Sequence, residues 1–300
     1  MSFDLIQIET SPVRPRRPEW LKVRIPGGEN YFELKRLIRG LDLHTVCESA
    51  RCPNIGECWS HRTATFMILG DLCTRRCGFC AVPKGMPSGV DWDEPERVAG
   101  AAAKMGLRYV VVTSVDRDDL KDGGSTLFAM TIDALRRQIT GVKVEVLIPD
   151  FHGSDEALEV VLRARPDVLN HNTETVPRLY SVARKGSRYE RSLRLLGRSR
   201  TVAPEIPVKS GLMVGLGEAF EEVVEVLKDL GAAGVGIVTI GQYLRPSGEQ
   251  LPVARFYTPE EFAALREEGL RAGIKHVQSG PLVRSSYHAH EQTASFEAPA

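Results

Sequence analysis

The sequence has no cysteine outside the stretch from Cys47 to Cys80, which contains all six. It also has no net charge, because 39 Lys and Arg residues balance 39 Asp and Glu residues, so it has no general attraction for nucleic acid or anionic membranes. It has no run near the ~18 apolar residues of a membrane span, and the segment from Met1 to Trp20 lacks the apolar core of a signal peptide. We therefore expect a cytoplasmic protein that binds neither nucleic acid nor membrane.

The cysteines fall into two groups of three. The first cysteine group is spaced C-x4-C-x5-C and the second C-x3-C-x2-C; their members are Cys47, Cys52 and Cys58, and Cys73, Cys77 and Cys80. Thiolates hold iron-sulfur clusters, and three of them on a four-iron cluster leave one iron open to another ligand. The alternatives are structural zinc, which prefers two tight ligand pairs, disulfides, which suit small secreted domains, and buried apolar cysteines.

Short β-branched runs alternate with helical patterns along most of the chain. Six runs predict strands, at residues 65–69, 109–113, 142–148, 168–172, 208–214 and 236–240. Ser154 and the Thr258 capping box predict the starts of two of the intervening helices. This alternation predicts parallel strands joined by right-handed crossovers. Six units would make an incomplete α/β barrel, and a flat doubly wound sheet is the alternative.

Two extensions are expected around the barrel. An N-terminal extension over residues 1–62 carries the first cysteine group after a helix marked by Leu34, Leu37, Ile38 and Leu41. The barrel covers residues 63–275, and its first strand-to-helix loop carries the second group, at the end of the sheet where such folds place their sites. A C-terminal extension covers residues 276–300, and we assign no structure to the tail after Glu291.

Three motifs carry a resemblance to a known family. The second cysteine group, with Phe79 before its last cysteine, resembles the signature of the radical S-adenosylmethionine enzymes. The first group, with Glu48 to Arg51 and Pro53 to Glu57 between its cysteines, is similar to that of the lipoyl synthases within this superfamily. The run from Gly280 to Ala289 resembles the C-terminal Arg-Ser-Ser-Tyr motif of the same family. The three together are specific, whereas the second group alone would indicate only the superfamily.

The resemblance implies a fold, two clusters and a reaction. The fold would be a partial (β/α)6 barrel of the radical S-adenosylmethionine type. One [4Fe-4S] cluster, on Cys73, Cys77 and Cys80, would generate 5'-deoxyadenosyl radicals from S-adenosylmethionine. The other, on the first group and Ser286, would be an auxiliary cluster consumed as sulfur donor. The reaction would insert sulfur at carbons six and eight of an octanoyl chain on a carrier-protein lysine.

Several assignments leave alternatives open. Ser285 is a close second to Ser286 as the fourth ligand, and an ordinary turn would also explain the motif. His288 and His290 could compete with the serines as ligands, because imidazole replaces thiolate in some clusters. Arg75 and Arg76 either tune the charge of the cluster or are solvated loop charges. We expect S-adenosylmethionine contacts from strand ends on the same face, at Thr113, Ser114, Asp122, Gly123, Gly124, Ser125, Asn170, Asn172, Glu174 and Lys209. A helix-entry turn, a helix-start carboxylate and a surface lysine are the simpler explanations of the glycine pair, Glu174 and Lys209.

The resemblance also implies partners. These are octanoylated carrier domains such as the glycine cleavage H protein and the E2 subunits of 2-oxoacid dehydrogenases, an electron donor such as flavodoxin or ferredoxin, and cluster-assembly proteins. The arm from Met1 to Trp20, with Lys35, Arg36 and Arg39, could meet an acidic carrier domain, and a solvated basic face is the alternative. Two other functions stay open. A radical enzyme that thiolates tRNA would want an RNA-binding domain and a basic surface, and a non-enzymatic metal-binding module would leave S-adenosylmethionine intact.

Overall fold

The computed structural model describes residues 17–22, 26–60, 65–287 and 289–292, without the side chains of Ser60, His290 and Gln292. The strands in these residues are β1 (His44–Thr45), β2 (Thr65–Ile68), β3 (Tyr109–Ser114), β4 (Lys143–Leu147), β5 (Val168–Asn170), β6 (Val208–Val214), β7 (Ile237–Gln242) and β8 (His276–Gly280). The helices are α1 (Glu29–Gly40), α2 (Val46–Ser49), α3 (Ile55–Ser60), α4 (Glu94–Lys104), α5 (Ser125–Gln138), α6 (Asp155–Arg163), α7 (Tyr180–Ala183), α8 (Tyr189–Val202), α9 (Phe220–Ala232), α10 (Pro259–Arg271) and α11 (Ala289–Gln292). Short 3-10 helices lie at Glu19–Leu21, Phe151–Gly153 and Pro177–Leu179.

The strands form one sheet whose spatial order follows the chain order from β1 to β8. β1 runs antiparallel to β2, and each later strand pairs parallel with the strand before it. A doubly wound sheet requires a point at which the strand order reverses, and the described strands contain no such point. β1 and β8 lie at the two edges and do not pair with each other in the described residues. The predicted partial barrel is therefore confirmed, and the doubly wound alternative is wrong.

All six predicted strands are present, with small changes at their ends. β2 stops at Ile68 because Leu69 (φ 70°) and Gly70 (φ 86°) turn the chain in the left-handed region. The sequence pattern missed the antiparallel edge strand β1 and the seventh parallel strand β8, which is short and polar. β8 lies in the region predicted as a C-terminal extension, yet it pairs with β7. The proposed boundaries after residues 62 and 275 stay predictions.

Buried apolar side chains cover the outer face of the sheet in two clusters. One packs α4, α5 and α6 on the early strands, and the other packs α9 and α10 on β6, β7 and β8. The predicted helix caps are confirmed: Ser154 Oγ accepts from the Ala157 amide (3.2 Å), and Thr258 exchanges two hydrogen bonds with Glu261. Among the described residues, no helix has the length and apolar character that a membrane crossing requires. This packing leaves the loops at the carboxyl ends of the parallel strands to build a site.

Candidate metal centres

The second cysteine group lies on the loop that follows β2, at the carboxyl end of the sheet. The Cys73 amide donates to the Pro83 carbonyl (2.9 Å), which ties the start of the loop to its far side. The Gly78 amide donates to the Ala183 carbonyl, and the Gly78 carbonyl accepts from the Leu251 amide, both at 2.9 Å. Backbone hydrogen bonds therefore tie the loop to two other parts of the chain.

The three thiols of this loop are free and partly buried. Burial raises the pKa of Cys77 to about 12 and that of Cys80 to about 11, and it raises the pKa of Cys73 as well. The charge of Cys80 also raises the pKa of Cys77, and the charge of Cys73 raises that of Cys80, so the thiols of this loop influence one another. Iron would replace their protons. Three soft donors in one loop fit an iron-sulfur cluster.

Arg75, between the first two of these cysteines, is buried, with 3% of its side chain exposed. Its guanidinium donates twice to Asp118 (2.8 and 2.9 Å), once to Asp150 (2.5 Å) and once to Ser187 (2.8 Å). These partners come from the loops after β3 and β4 and from the turn between α7 and α8. Arg75 is thus a buried anchor of the loop rather than a solvated charge, whereas Arg76 is exposed.

A second buried cation, Arg184, follows α7, and its charge acts on Cys77. Its guanidinium donates to the Tyr180 hydroxyl (3.2 Å) and to Ser192 Oγ (2.9 Å). Burial raises the pKa values of Cys77 and Glu174, and the positive charge of Arg184 opposes the rise in both. Arg184 was not predicted from the sequence, because nothing in its local pattern indicates a buried charge.

The predicted contacts at the end of β5 and just after it include the buried side chains of Asn170 and Asn172. Asn172 Nδ2 donates to Glu174 Oε1 (3.2 Å), and Glu174 has a left-handed backbone (φ 68°). The side-chain oxygens of Asn170 and Asn172 are buried without a hydrogen-bond partner in the described structure. A Cβ at Gly211 would lie 2.6 Å from Asn172 Oδ1, so this glycine keeps the space beside that oxygen open. Because buried polar groups are normally hydrogen-bonded, these oxygens fit a site for a polar ligand.

The glycine turn before α5 already has an internal role. The Asp122 carboxylate accepts from the Gly124 amide (3.0 Å) and from the Thr126 amide (2.9 Å), and Gly123 and Gly124 have φ values of 60° and 89°. Ser125 begins the helix and is fully buried. These contacts are those of a helix-entry turn. A cofactor contact here stays a prediction.

Lys209 is a buried residue of β6 that forms an ion pair with Glu145. Its ammonium contacts Glu145 Oε1 at 2.8 Å, and both side chains are fully buried, so the simpler explanation of Lys209 as a surface lysine is wrong. Thr113 Oγ1 donates to the Leu147 carbonyl (2.8 Å), whereas Ser114 Oγ is buried without a partner in the described structure. Glu145 was not among the predicted residues, although a glutamate between two valines in a predicted inner strand was a usable indication.

The first cysteine group lies just beyond β1. Cys47 is in α2, which Thr45 caps by accepting from the Glu48 amide (3.3 Å), and Cys58 is in α3. The Cys52 amide donates to the Cys47 carbonyl (3.0 Å). Burial raises the pKa of Cys47 to about 11 and that of Cys58 to about 12, and the neighbouring thiols of the group raise both further. The thiols of this group therefore also influence one another.

The C-terminal Arg-Ser-Ser-Tyr motif lies against this group. Burial raises the pKa of Cys52, and the charge of Arg284 opposes the rise, which places the Arg284 guanidinium near that thiol. The Tyr287 hydroxyl donates to Glu57 Oε1 (3.0 Å), 230 positions earlier in the chain. The structure thus brings the predicted motif and the first cysteine group together.

The fourth-ligand candidates differ in what the structure shows of them. Ser285 and Ser286 lie half-buried in one turn beside the first cysteine group. His288 and the side chain of His290 lie outside the described residues. Within the described part of the chain, no three His, Cys, Asp or Glu side chains converge tightly enough to hold a single metal ion. A four-iron cluster places its thiolates on different irons, so its ligands need not converge on one point.

Two family models match the chain. The model of the radical SAM superfamily matches residues 67–230, and the model of the N-terminal domain of lipoyl synthase of the radical SAM family matches residues 5–52. The first match covers the second cysteine group and the strands from β3 to β6. The second covers the N-terminal segment up to Cys52.

Curated relatives match over nearly the whole chain. The lipoyl synthase of Koribacter versatilis is 59% identical over 300 residues, which are 100% of this chain and 99% of that protein. The lipoyl synthase of Rubrobacter xylanophilus is 60% identical over 280 residues, covering 93% of this chain and 87% of that protein.

Solved structures show the same fold at low identity. SuiB of Streptococcus suis bound to S-adenosylmethionine matches with a TM-score of 0.54 and 13% identity, over 83% of this chain and 60% of that one. Methylornithine synthase matches with a TM-score of 0.53 and 14% identity, over 74% of this chain and 72% of that one. At such identities the likeness shows the fold alone.

Proposed function

Because the chain belongs to the lipoyl synthase family of the radical S-adenosylmethionine superfamily, we propose that its two cysteine groups hold two clusters with separate roles. The activity is a radical sulfur transfer that forms lipoyl groups, with S-adenosylmethionine and [4Fe-4S] clusters, one of them auxiliary, as cofactors. The relatives favour this activity over the RNA-thiolating and non-enzymatic alternatives. The observation that carries the assignment of roles is the separate placement of the groups, one on the first barrel loop and one against the C-terminal motif.

We assign the radical-generating cluster to Cys73, Cys77 and Cys80. Their loop is held by backbone hydrogen bonds and by Arg75, and these contacts support the placement of the three thiols. When bound, the cluster and S-adenosylmethionine supply the radical chemistry that removes hydrogen from an unactivated methylene. The barrel residues bind, orient and exclude water. Arg184 would add a fixed positive charge beside the cluster, which favours its reduced state.

We assign the S-adenosylmethionine contacts first to the polar residues at the end of β5 and just after it. Asn170 and Asn172 offer buried side-chain oxygens without hydrogen-bond partners in the described structure. The charge of Glu174 raises the pKa of Cys77, which supports a position of this carboxylate near the cysteine loop. Ser114 offers a buried hydroxyl that also has no hydrogen-bond partner in the described structure. The contacts at Thr113, the Asp122 turn and Lys209 are weaker assignments, because each already has a partner within the chain.

We assign the auxiliary cluster to Cys47, Cys52 and Cys58, with Ser286 as fourth ligand and Ser285 as the alternative. The position of Arg284 near Cys52 and the hydrogen bond from Tyr287 support this assignment. A hydroxyl binds iron more weakly than a thiolate, which suits a cluster that is to be dismantled for its sulfur.

The family implies octanoylated carrier domains as substrates. We propose that these include the glycine cleavage H protein and E2 subunits of 2-oxoacid dehydrogenases, and that sulfur enters at carbons six and eight. The electron donor would be flavodoxin or ferredoxin, cluster-assembly proteins would rebuild the auxiliary cluster, and a reducing cytoplasm would protect both clusters. The exposed Arg36, together with Lys35 and Arg39, would meet the carrier, although Lys35 also lies over the Tyr31 ring and Arg39 contacts Glu48 (3.3 Å).

Matched substitutions in the two groups test the assignment. After anaerobic reconstitution, Cys73→Ala is expected to abolish both 5'-deoxyadenosine formation and sulfur insertion into an octanoylated carrier peptide, followed by its mass. Cys47→Ala is expected to keep 5'-deoxyadenosine formation and abolish the mass gain. Ser285→Ala and Ser286→Ala, compared in the same way, separate the two serines. Sulfur insertion by Cys47→Ala, or zinc in place of iron in the anaerobically purified protein, would contradict the proposal.

A further inference from the structure

The proposed auxiliary site spans the opening between the two edges of the sheet. Cys47 follows β1 at one edge, separated from it by a single residue. Residues 280–287, here called the C-terminal segment, begin at the last residue of β8, at the other edge. Ser286 can reach the first cysteine group only if this segment crosses toward β1 along a defined path. Two residues outside the ligand set define that path.

The first of these residues is Asn54. It lies between Cys52 and Cys58 and is only 3% exposed. Its Nδ2 donates to the Leu282 carbonyl at 2.8 Å, across 228 positions of sequence. Removing a buried donor leaves its acceptor without a partner, which costs more than an average hydrogen bond contributes. This hydrogen bond therefore ties the C-terminal segment directly to the loop of the first cysteine group.

The second residue is Gly241, one position before the end of β7 and in register with Gly280 of β8. A Cβ at Gly241 would overlap the Val283 carbonyl oxygen and would lie 3.1 Å from Arg284 Nη1. The overlapping atom belongs to the backbone, so a small side-chain rotation could not relieve the clash. Glycine at this position lets the C-terminal segment pass across the end of β7.

We propose that Asn54 and Gly241 are positioning residues of the auxiliary site, which seat the C-terminal segment so that its serine meets the first cysteine group. This inference rests on the proposed function, because the serine ligand is part of it. A hydroxyl is a weak iron ligand, so little of its binding energy is available to order a free segment. The order must therefore come from the chain itself.

Asn54→Ala and Gly241→Ala test the inference in the full-length, anaerobically reconstituted protein. Each is expected to lower the iron content from about eight toward about four per chain, because the auxiliary cluster is lost and the other is kept. Hydrogen exchange of residues 280–287, measured by mass spectrometry, is expected to be on the order of tenfold faster in Asn54→Ala. 5'-Deoxyadenosine formation reports whether the second cysteine group is intact. Gly248→Ala is the matched control, because a Cβ there would meet nothing within 4 Å.

Wild-type iron content and exchange in both variants would overturn the inference. So would parallel loss of both clusters, since it would mean that these residues support the whole barrel. The double variant Ser285→Ala, Ser286→Ala separates this inference from the proposed function. If that variant keeps the wild-type auxiliary-cluster spectrum, the serine assignment fails. If it alone changes the spectrum while Asn54→Ala and Gly241→Ala do not, only the positioning role fails.

Discussion

Arg75→Ala should destabilise the protein through the loss of one buried cation. The Arg75 side chain is 3% exposed and contacts Asp118 at 2.8 Å, the fully buried Asp150 at 2.5 Å and Asp116 at 3.4 Å. Removing one partner of a buried ion pair costs about 3 to 5 kcal/mol, because the other charge is left uncompensated. Asp150 keeps Arg191 at 3.2 Å, which favours the lower end of that range. A loss near 3 kcal/mol is a large part of the ~5–15 kcal/mol that stabilises a typical protein.

The assay is urea unfolding of Arg75→Ala beside Arg76→Ala, a matched change at the exposed neighbouring arginine. Arg76→Ala is expected to change the free energy of unfolding by less than about 0.5 kcal/mol. Arg75→Lys should be intermediate, because lysine keeps the charge but loses the planar fork. Equal stability of the two alanine variants would refute the role of Arg75 as an anchor.

The effect of Arg75 also has a defined pH dependence. Burial alone would raise the pKa of Asp150, but the hydrogen bond and charge of Arg75 outweigh it and hold that pKa well below its usual range. A carboxyl group with a lowered folded-state pKa stabilises the protein above its unfolded pKa of about 4. This contribution is lost as the pH falls below that value. The difference between wild type and Arg75→Ala should therefore shrink in acid.

Three further perturbations follow from buried or exposed charges. Burial lowers the pKa of His171 from 6.5 to about 3, so between these pH values only the unfolded chain binds the proton. The free energy of unfolding should therefore fall from pH 6.5 toward pH 3 by up to about 1.4 kcal/mol per pH unit. His171→Gln should flatten this slope in pH-dependent unfolding, and an unchanged slope would contradict the assignment. Lys209→Met strands the Glu145 carboxylate and should lower the free energy of unfolding by about 3 kcal/mol. A fall in S-adenosylmethionine affinity at unchanged stability would favour a cofactor role for this lysine instead. Reversal of the charges at Lys35, Arg36 and Arg39 should weaken the binding of an octanoylated carrier domain on the order of tenfold at low salt and remove its salt dependence. Unchanged binding would reject that surface.

The fold was predictable where the local pattern is strong. The valine-rich runs at β3 and β4 are buried strands in any plausible packing, and their alternation with amphipathic helices requires parallel pairing. β8 was not predictable, because a short polar segment becomes a strand only when a neighbouring edge offers hydrogen bonds. The helix α8 was missed for a related reason. Its arginines obscure the apolar face, and three of them pair with carboxylates in and just before α6.

The candidate site divides in a similar way. The cysteines were visible because their spacing on one stretch of chain is enough to indicate cluster ligands, whereas the serine pair was indicated only by the resemblance to the family's C-terminal motif. Arg184 was not visible, because burial of a charge depends on what packs around it, whereas the place of Glu145 between two valines of a strand was a usable indication. Arg75 was visible as a residue, but its contacts with three aspartates from other loops were not.

Ligand type, ligand spacing and the succession of strands and helices are local properties, and the chain carries them at each position through side-chain chemistry and backbone preference. The curvature of the sheet, and the distance left between its first and last strands, depend on the packing of many residues at once. That packing alone brings Asn54 to Leu282 and Tyr287 to Glu57. No pattern within a short window contains such contacts, because the free energy that forms them is spread over the whole core.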